Sequence, residues 1–181
     1  RIFSCKLFYG NGTSKLVKRS KWKDKGLGVV VDLSTHLLDM CNYWFGVKKK
    51  IFSNISVDKF ENKSPDNALM YEKINNIKFQ LEVTYCMWKN DFFCDIIAEK
   101  GSVHMSSLCK WDKTILKIRT RILPSGRPHE KNISIKSKDI TWKSELIHFR
   151  KLIKFKKNNN LTKDIWINNN LINFKNILKV K

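Results

Sequence analysis

The chain has 181 residues, of which 42% are apolar and 12% aromatic, and its formal net charge is +20 at pH 7. This apolar content excludes a chain that is disordered throughout, and no run approaches the roughly 18 apolar residues of a membrane-spanning helix. The length fits one domain with a sizeable core.

The cysteines indicate a reducing compartment. Five of them are spread along the chain without a C-x-x-C pair, a pattern that fits neither a disulfide framework nor a zinc site. The sequence also begins without a charged and then apolar leader. We therefore expect a soluble, cytoplasmic protein with reduced thiols and no metal.

The high positive charge raises the question of nucleic-acid binding, because a basic face attracts phosphates. The basic residues, however, are almost all lysine and are scattered along the chain, as A/T-rich codons would produce. Phosphate recognition favours the planar fork of arginine. Trp22, Trp88 and Trp111 among the lysines could stack on bases, but half-buried strands show the same alternation. Nucleic-acid binding is unlikely, and a non-enzymatic nucleic-acid-binding domain stays an alternative hypothesis.

The N-terminal quarter predicts a strand, a loop and a long helix. Residues 2–9 are β-branched, aromatic and apolar, and the Gly10-Asn11-Gly12 turn ends this strand. Residues 15–25 are predicted as a basic loop. The apolar run 29–45 is too long for one strand and repeats at helical spacing, so we predict one largely buried helix there.

One narrow polar stripe interrupts this apolar helix. Asp32, His36 and Asp39 are spaced i, i+4 and i+7, so they face the same way. A carboxylate one turn from a histidine can orient the imidazole and hold its charge near neutral pH, which suits proton transfer. A buried histidine satisfied by a carboxylate is the structural alternative.

From residue 50 the period changes toward two, with Asn75-Asn76 as a hairpin turn. The predicted strands are 50–57, 68–74, 77–88, 92–98, 102–108, 114–122 and 132–137. Helices are predicted over 139–157 and 161–181. The pattern favours an α+β fold: an open, mainly antiparallel sheet read as a meander, with helices on one face. We expect an α+β domain over 1–157 and a helical tail over 158–181.

The segment around the polar stripe resembles a family motif. The run GLGVVVDLSTHLLD, residues 26–39, is similar to the G-G-x-x-x-D-x-G-x-H-x-x-D segment of the Gfo/Idh/MocA oxidoreductases, although Leu27 and Ser34 replace glycines. The resemblance continues in the hairpin at 98–102 and the W-x-x-E-x-x-x-F helix at 142–149. It covers only the C-terminal domain of that family.

Members of this family are NAD(P)-dependent dehydrogenases of sugars, cyclitols and related polyols. An N-terminal Rossmann domain holds the cofactor, and a C-terminal sheet, similar to that of glyceraldehyde-3-phosphate dehydrogenase, forms the substrate site and often a dimer face. The resemblance implies a fragment that partners such a Rossmann domain, forms a homo-oligomer through its sheet and, alone, binds neither NAD nor NADP and is inactive. A pseudoenzyme dimer scaffold is the alternative within this fold.

The resemblance gives Asp32 and His36 the candidate catalytic roles in proton transfer. Candidate substrate contacts are Asp39 on the same stripe and four residues that precede the helix: Asn11, Lys18, Arg19 and Trp22. A sugar-like substrate needs convergent donors and acceptors near the group that moves the proton. Solvated loop charges are the competing explanation for the basic residues.

Overall fold

The computed structural model describes residues 1–46, 50–108, 111–156 and 162–180. Within these ranges the strands are β1 (Ile2–Gly10), β2 (Asn54–Asp58), β3 (Asn67–Ile74), β4 (Ile77–Thr84), β5 (Asp91–Ala98), β6 (Gly101–Ser106), β7 (Thr114–Ile122) and β8 (Gly126–Ile135). The helices are α1 (Ser14–Arg19), α2 (Val29–Asp32), α3 (Ser34–Phe45), α4 (Thr141–Lys154) and α5 (Thr162–Ile177). The prediction of an α+β fold with an open, mainly antiparallel sheet is confirmed.

The eight strands form one sheet in the order β2-β3-β4-β1-β5-β6-β7-β8. Its neighbours pair antiparallel except β1 and β4, which are parallel, with Ser4 opposite Lys78. The predicted meander is therefore interrupted between β4 and β5, where β1 inserts. Alternating polarity reports which face a strand buries, but it carries no information on which distant strand will be its neighbour.

The core lies between the sheet and α2, α3 and α5. Leu7 of β1 and Leu37 of α3 are fully buried, as is Phe174 of α5. The Asn170 side chain of α5 accepts a hydrogen bond from the Phe52 backbone N–H at 2.8 Å, and that of Asn173 donates to the Phe52 carbonyl at 2.8 Å. These bonds tie α5 to the segment that precedes β2, so it belongs to the same core as the sheet.

Local predictions and observed elements differ at several points. The helix expected over 29–45 divides at Leu33 into α2 and α3, where the Ser34 hydroxyl donates to the Val30 carbonyl and competes with the helix pattern. The basic loop contains α1, and β8 starts earlier than expected, at Gly126. The predicted boundary at 157/158 lies outside the described residues.

The Asn75-Asn76 turn is confirmed, with φ of 52° and 64°, as a tight hairpin of this kind requires. At the other end of the sheet, β8 and α4 leave the core. No α4 residue is buried, and Trp142 is 76% exposed. No helix in the described ranges has the length and apolar character to cross a membrane.

Candidate functional site

The polar stripe lies at the end of α2 and along α3, at solvent-exposed positions. Asp32, His36 and Asp39 are all exposed, while Leu33 and Leu37 on the opposite face are buried. The expectation of a stripe on a largely buried helix is therefore wrong. α3 buries only part of its surface, so the three polar residues remain accessible to a ligand.

Asp32 is positioned by a tyrosine. The Tyr85 hydroxyl donates a hydrogen bond to Asp32 Oδ2 at 2.9 Å, and Tyr85 is only 2% exposed. Burial raises the pKa of the Tyr85 phenol, and its hydrogen bond to Asp32 and the charge of that carboxylate raise it further. The phenol therefore stays protonated and serves as a fixed donor. Within the described residues no hydrogen bond joins Asp32 to His36, and the orientation of the imidazole by this carboxylate stays a prediction.

His36 contacts an aromatic side chain at the end of β1. Its ring centroid lies 5.7 Å from that of Tyr9, and Tyr9 in turn lies 5.4 Å from Trp111. Burial raises the pKa of Tyr9, with a further contribution from the charge of Asp32. The imidazole thus contacts Tyr9, and its nitrogens have no hydrogen-bond partner among the described residues.

A cleft of about 740 Å³ opens beside Asp32. Asp32, Tyr85 and Thr35 line it on one side and the loop before α2 lines it on the other. Trp22 contributes to this wall and is 76% exposed, with the Lys23 ammonium 5.2 Å from its ring centroid. The structure therefore brings Trp22 and Asp32 to one cleft, large enough for a sugar-sized ligand.

The loop that forms this wall is held by a neighbouring loop that sequence reasoning missed. Asp24 Oδ1 accepts hydrogen bonds from the Ser64 N–H at 2.7 Å and from its hydroxyl at 2.9 Å. Burial works against ionisation, but these bonds outweigh it and lower the pKa of Asp24. Gly28 has a φ of +50°, and a Cβ there would overlap the Pro65 carbonyl. The cleft wall is thus fixed by close packing.

The other predicted contacts do not line this cleft. Asn11 Oδ1 accepts from the Thr13 N–H at 3.1 Å and from its hydroxyl at 2.6 Å, so this side chain closes the turn after β1. Lys18 and Arg19 are exposed on the last turn of α1. Asp39 shares the exposed face of α3 but is not part of the cleft wall.

The glycines after β1 have a packing role. A Cβ on Gly12 would lie 2.6 Å from the Met87 carbonyl oxygen, and one on Gly10 would meet the Met87 side chain. The turn therefore needs glycine for close approach to Met87. This arrangement does not fit a cradle for the phosphates of a dinucleotide.

Tyr9 and Tyr85 are the site residues that sequence reasoning missed. Because β1 and β4 are parallel, their carboxyl ends meet at one edge of the sheet, and Tyr9 and Tyr85 lie there below α2 and α3. The place of both tyrosines in the site depends on the pairing of β1 with β4, two strands that are distant in the chain. The sequence signal was an aromatic residue near the end of each predicted strand, 2–9 and 77–88, and it is informative only once the two strands are known to be neighbours.

Comparisons with solved structures show which proteins share this fold. Levoglucosan dehydrogenase in complex with NADH and L-sorbose is 18% identical with a TM-score of 0.59, covering 75% of this chain and 40% of that one. UDP-N-acetylglucosamine 3-dehydrogenase from Acidithiobacillus ferrooxidans is 14% identical with a TM-score of 0.70, covering 94% and 53%. A 3-ketoreductase from Actinomadura kijaniata, in complex with TDP-benzene and NADP, is 10% identical with a TM-score of 0.67, covering 94% and 50%.

The chain thus spans about half, or less, of the length of these proteins. A comparison with curated proteins gives no match. The model of the oxidoreductase family, C-terminal alpha/beta domain, matches residues 1–161. By this match and the shared fold, the chain belongs to the Gfo/Idh/MocA oxidoreductase family and carries its C-terminal domain.

Proposed function

We propose that this chain is the substrate-binding domain of an NAD(P)-dependent oxidoreductase that acts on a hydroxyl or carbonyl of a sugar, sugar derivative or cyclitol. The observation that carries the proposal is the exposure of Asp32, at the end of α2, and of His36, in the first turn of α3. Asp32 lines a sugar-sized cleft, and His36 lies beside it without lining it. Two of the structural neighbours are dehydrogenases of sugar-type compounds, which supports this substrate class.

His36 is the proposed general acid and base. Its imidazole nitrogens are open, and a neutral imidazole takes the proton of a substrate hydroxyl as the alcohol is oxidised and returns it in the reverse direction. Asp32 accepts a hydrogen bond from the substrate while Tyr85 holds its Oδ2 in place. The division of roles follows from the contacts, because the carboxylate is fixed and the imidazole is not hydrogen-bonded.

The oxidoreductase chemistry also needs a nicotinamide cofactor, either NAD or NADP, which supplies or accepts hydride when bound. Since the glycines after β1 pack on Met87, the described residues offer no dinucleotide site there. We therefore assign the cofactor to a Rossmann domain that partners this one. The role proposed for the present chain is to bind the substrate, orient it and move its proton.

The face of the sheet opposite the helices is the proposed dimer face. On it, the Phe8 and Phe93 rings stack at 4.9 Å, and the side chains of Tyr71 and Ile97 are exposed. We call this surface the open sheet face. Exposed aromatic and aliphatic side chains on a sheet without covering helices favour association with a second copy. Free cysteines among the described residues support a cytoplasmic location.

The test of the proposed function is the His36→Ala variant of an enzyme that contains this domain. If His36 is the general acid and base, turnover should fall by roughly 10²–10⁴ while the circular dichroism spectrum stays unchanged. His129→Ala, at an exposed position of β8, is the matched control and should keep full turnover. Unchanged turnover in the His36→Ala variant, with normal folding, would refute the assignment.

A further inference from the structure

A second cavity, of about 500 Å³, adjoins the cleft at Asp32. Three segments enclose it: the loop before α2, the loop after β2 and the end of the chain after α5. Its lining includes four lysines, Lys25, Lys59, Lys63 and Lys179, which we call the lysine pocket. Lys25 and Gly26 line both cavities, so the two lie next to the same loop.

The chain offsets the positive charge of the lysine pocket only in part, because one carboxylate lines it with four lysines. Asp24 is the one carboxylate among its lining residues, and Asp24 Oδ1 is occupied by the two hydrogen bonds from Ser64. No ion pair within 4.0 Å among the described residues involves the four lysines. Two nearby acidic residues, at the end of β2 and in the loop after it, have other partners. Glu61 pairs with Lys15 at 3.1 Å, and Asp58 accepts a hydrogen bond from Asn67.

Buried contacts hold the lysine backbones in place. Lys25 and Lys63 are the direct chain neighbours of Asp24 and Ser64, whose hydrogen bonds join the two loops, and the Val29 N–H donates to the Pro65 carbonyl at 2.9 Å. The third segment is anchored by Phe174, which is fully buried. The four lysines therefore line one cavity on segments whose main chain the fold holds together. Four flexible lysines on unrelated surface loops would not do so.

We propose that the lysine pocket binds a phosphate group of the substrate, while the sugar of the same molecule lies in the cleft at Asp32. This inference rests on the proposed function and narrows its substrate class to phosphate or diphosphate esters of sugars. Lysine ammonium groups bind phosphate as point charges, and a site with three excess positive charges suits a doubly charged ester far better than a neutral polyol.

The experiment measures ligand binding to the 181-residue chain by calorimetry at physiological salt, because a strongly basic protein binds any anion at low salt. The probes are a hexose, the same hexose as its 1-phosphate and as a nucleoside diphosphate ester, inorganic phosphate, and NADP. In the triple variant Lys59→Gln, Lys63→Gln, Lys179→Gln, affinity for the phosphorylated sugars should fall by roughly tenfold or more. Affinity for the unmodified hexose should not change.

The matched control removes the same charge from another part of the molecule. Lys131→Gln, Lys136→Gln, Lys138→Gln alters three exposed lysines in and just after β8 and should change every affinity by less than about twofold. An equal loss of affinity in both triple variants would mean general charge attraction and would overturn the proposal. Absence of saturable binding of any phosphorylated sugar would overturn it as well.

Amide chemical shifts separate this inference from the proposed function. Binding that depends on the three lysines and also shifts the resonances of His36 and Asp32 supports both. Lysine-dependent binding without those shifts supports the phosphate site and contradicts the sugar site. A hexose that shifts His36 equally well with or without its phosphate contradicts the phosphate site alone. Lysine-dependent binding of NADP but of no sugar phosphate assigns the pocket to a cofactor phosphate, which overturns the proposal.

Discussion

At the scale of single residues, the candidate site depends on a carboxylate whose orientation is set by a buried phenol. The Tyr85 ring packs in the core, and its hydroxyl donates a hydrogen bond to Asp32 in the cleft. A carboxylate fixed in this way accepts a ligand hydrogen bond without first being ordered. The cost of ordering is met when the chain folds, so it does not reduce ligand affinity.

Tyr85→Phe removes this bond and keeps the shape of the ring. We expect the free energy of unfolding to fall by about 1–2 kcal/mol, because the lost bond has a charged acceptor, and affinity for the substrate to fall with it. Urea unfolding and calorimetry measure the two effects. Tyr71→Phe, on the exposed strand surface, is the control and should change neither; a matching loss in that variant would contradict the role given to Tyr85.

A second residue-scale prediction concerns pH. Glu72 accepts hydrogen bonds from Lys50 Nζ at 2.8 Å and from the Ser53 N–H at 3.1 Å. Burial opposes ionisation of the carboxyl, but these bonds outweigh it and lower its pKa to about 2. Since the folded pKa lies below the unfolded value, the stabilisation is present above about pH 4.5 and is lost as the pH falls toward 2.

Glu72→Gln should therefore lower the free energy of unfolding by about 1–3 kcal/mol at pH 7 and have little effect near pH 2. The measurement is urea unfolding across this pH range. Glu145→Gln, at an exposed position of α4, should leave both the stability and its pH slope unchanged. The same slope in the Glu72→Gln variant and in the parent chain would contradict the prediction.

At the scale of elements, the loop before α2 lines both cavities and determines where α2 begins. Gly26 and Gly28 both adopt positive φ, at +60° and +50°, but their surroundings differ. Nothing lies within 4 Å of a Cβ built on Gly26, whereas a Cβ on Gly28 would overlap Pro65. Substitutions at the two positions therefore distinguish the cost of backbone strain from the cost of steric overlap within one loop.

Gly28→Ala should cost more stability than Gly26→Ala. At Gly26 the only penalty is the left-handed backbone, about 1–2 kcal/mol, and at Gly28 the overlap with Pro65 adds to it. The larger change should also shift the loop and weaken ligand binding in the cleft. Urea unfolding of the two variants provides the comparison; equal losses of stability would show that the contact with Pro65 is not restrictive.

Most local elements could be predicted from the sequence, because the period of apolar residues and the turn at Asn75-Asn76 depend on neighbours in the chain. The exposure of the polar stripe could not, since Val31, Tyr43 and Trp44 make the helix look apolar all round although all three are exposed. The pairing of β1 with β4, and with it the place of Tyr85 in the site, depends on contacts between distant segments that no local pattern encodes.

At the scale of the whole molecule, the net positive charge opposes the dimerisation that the open sheet face favours. Side chains of Asp95, His104, Arg119 and Glu130 hydrogen-bond in series across four strands of this face, beside the stacked Phe8 and Phe93 rings. Pairing two copies through this face buries apolar area, but it also brings together two chains that each carry +20. Salt screens that repulsion.

Dimerisation should therefore strengthen as salt rises toward about 0.15 M, measured by sedimentation equilibrium. Tyr71→Lys should weaken the dimer, while Leu16→Lys, an exposed position on α1 with the same charge change, should not. Binding to an oligonucleotide would have the opposite salt dependence, because it releases counterions. A chain that stays monomeric at every salt concentration would contradict the proposed dimer face.

The position of β1 also bears on how the chain folds during synthesis. Among the elements described, β1 is synthesised first although it lies in the middle of the sheet. Its parallel partner is β4, so Ser4 can pair with Lys78 only after about 70 further residues have been made. Until β4 and β5 have emerged, both edges of a largely apolar strand remain unpaired. Folding should accordingly be slow and late, and the nascent chain should depend on chaperones that shield such edges.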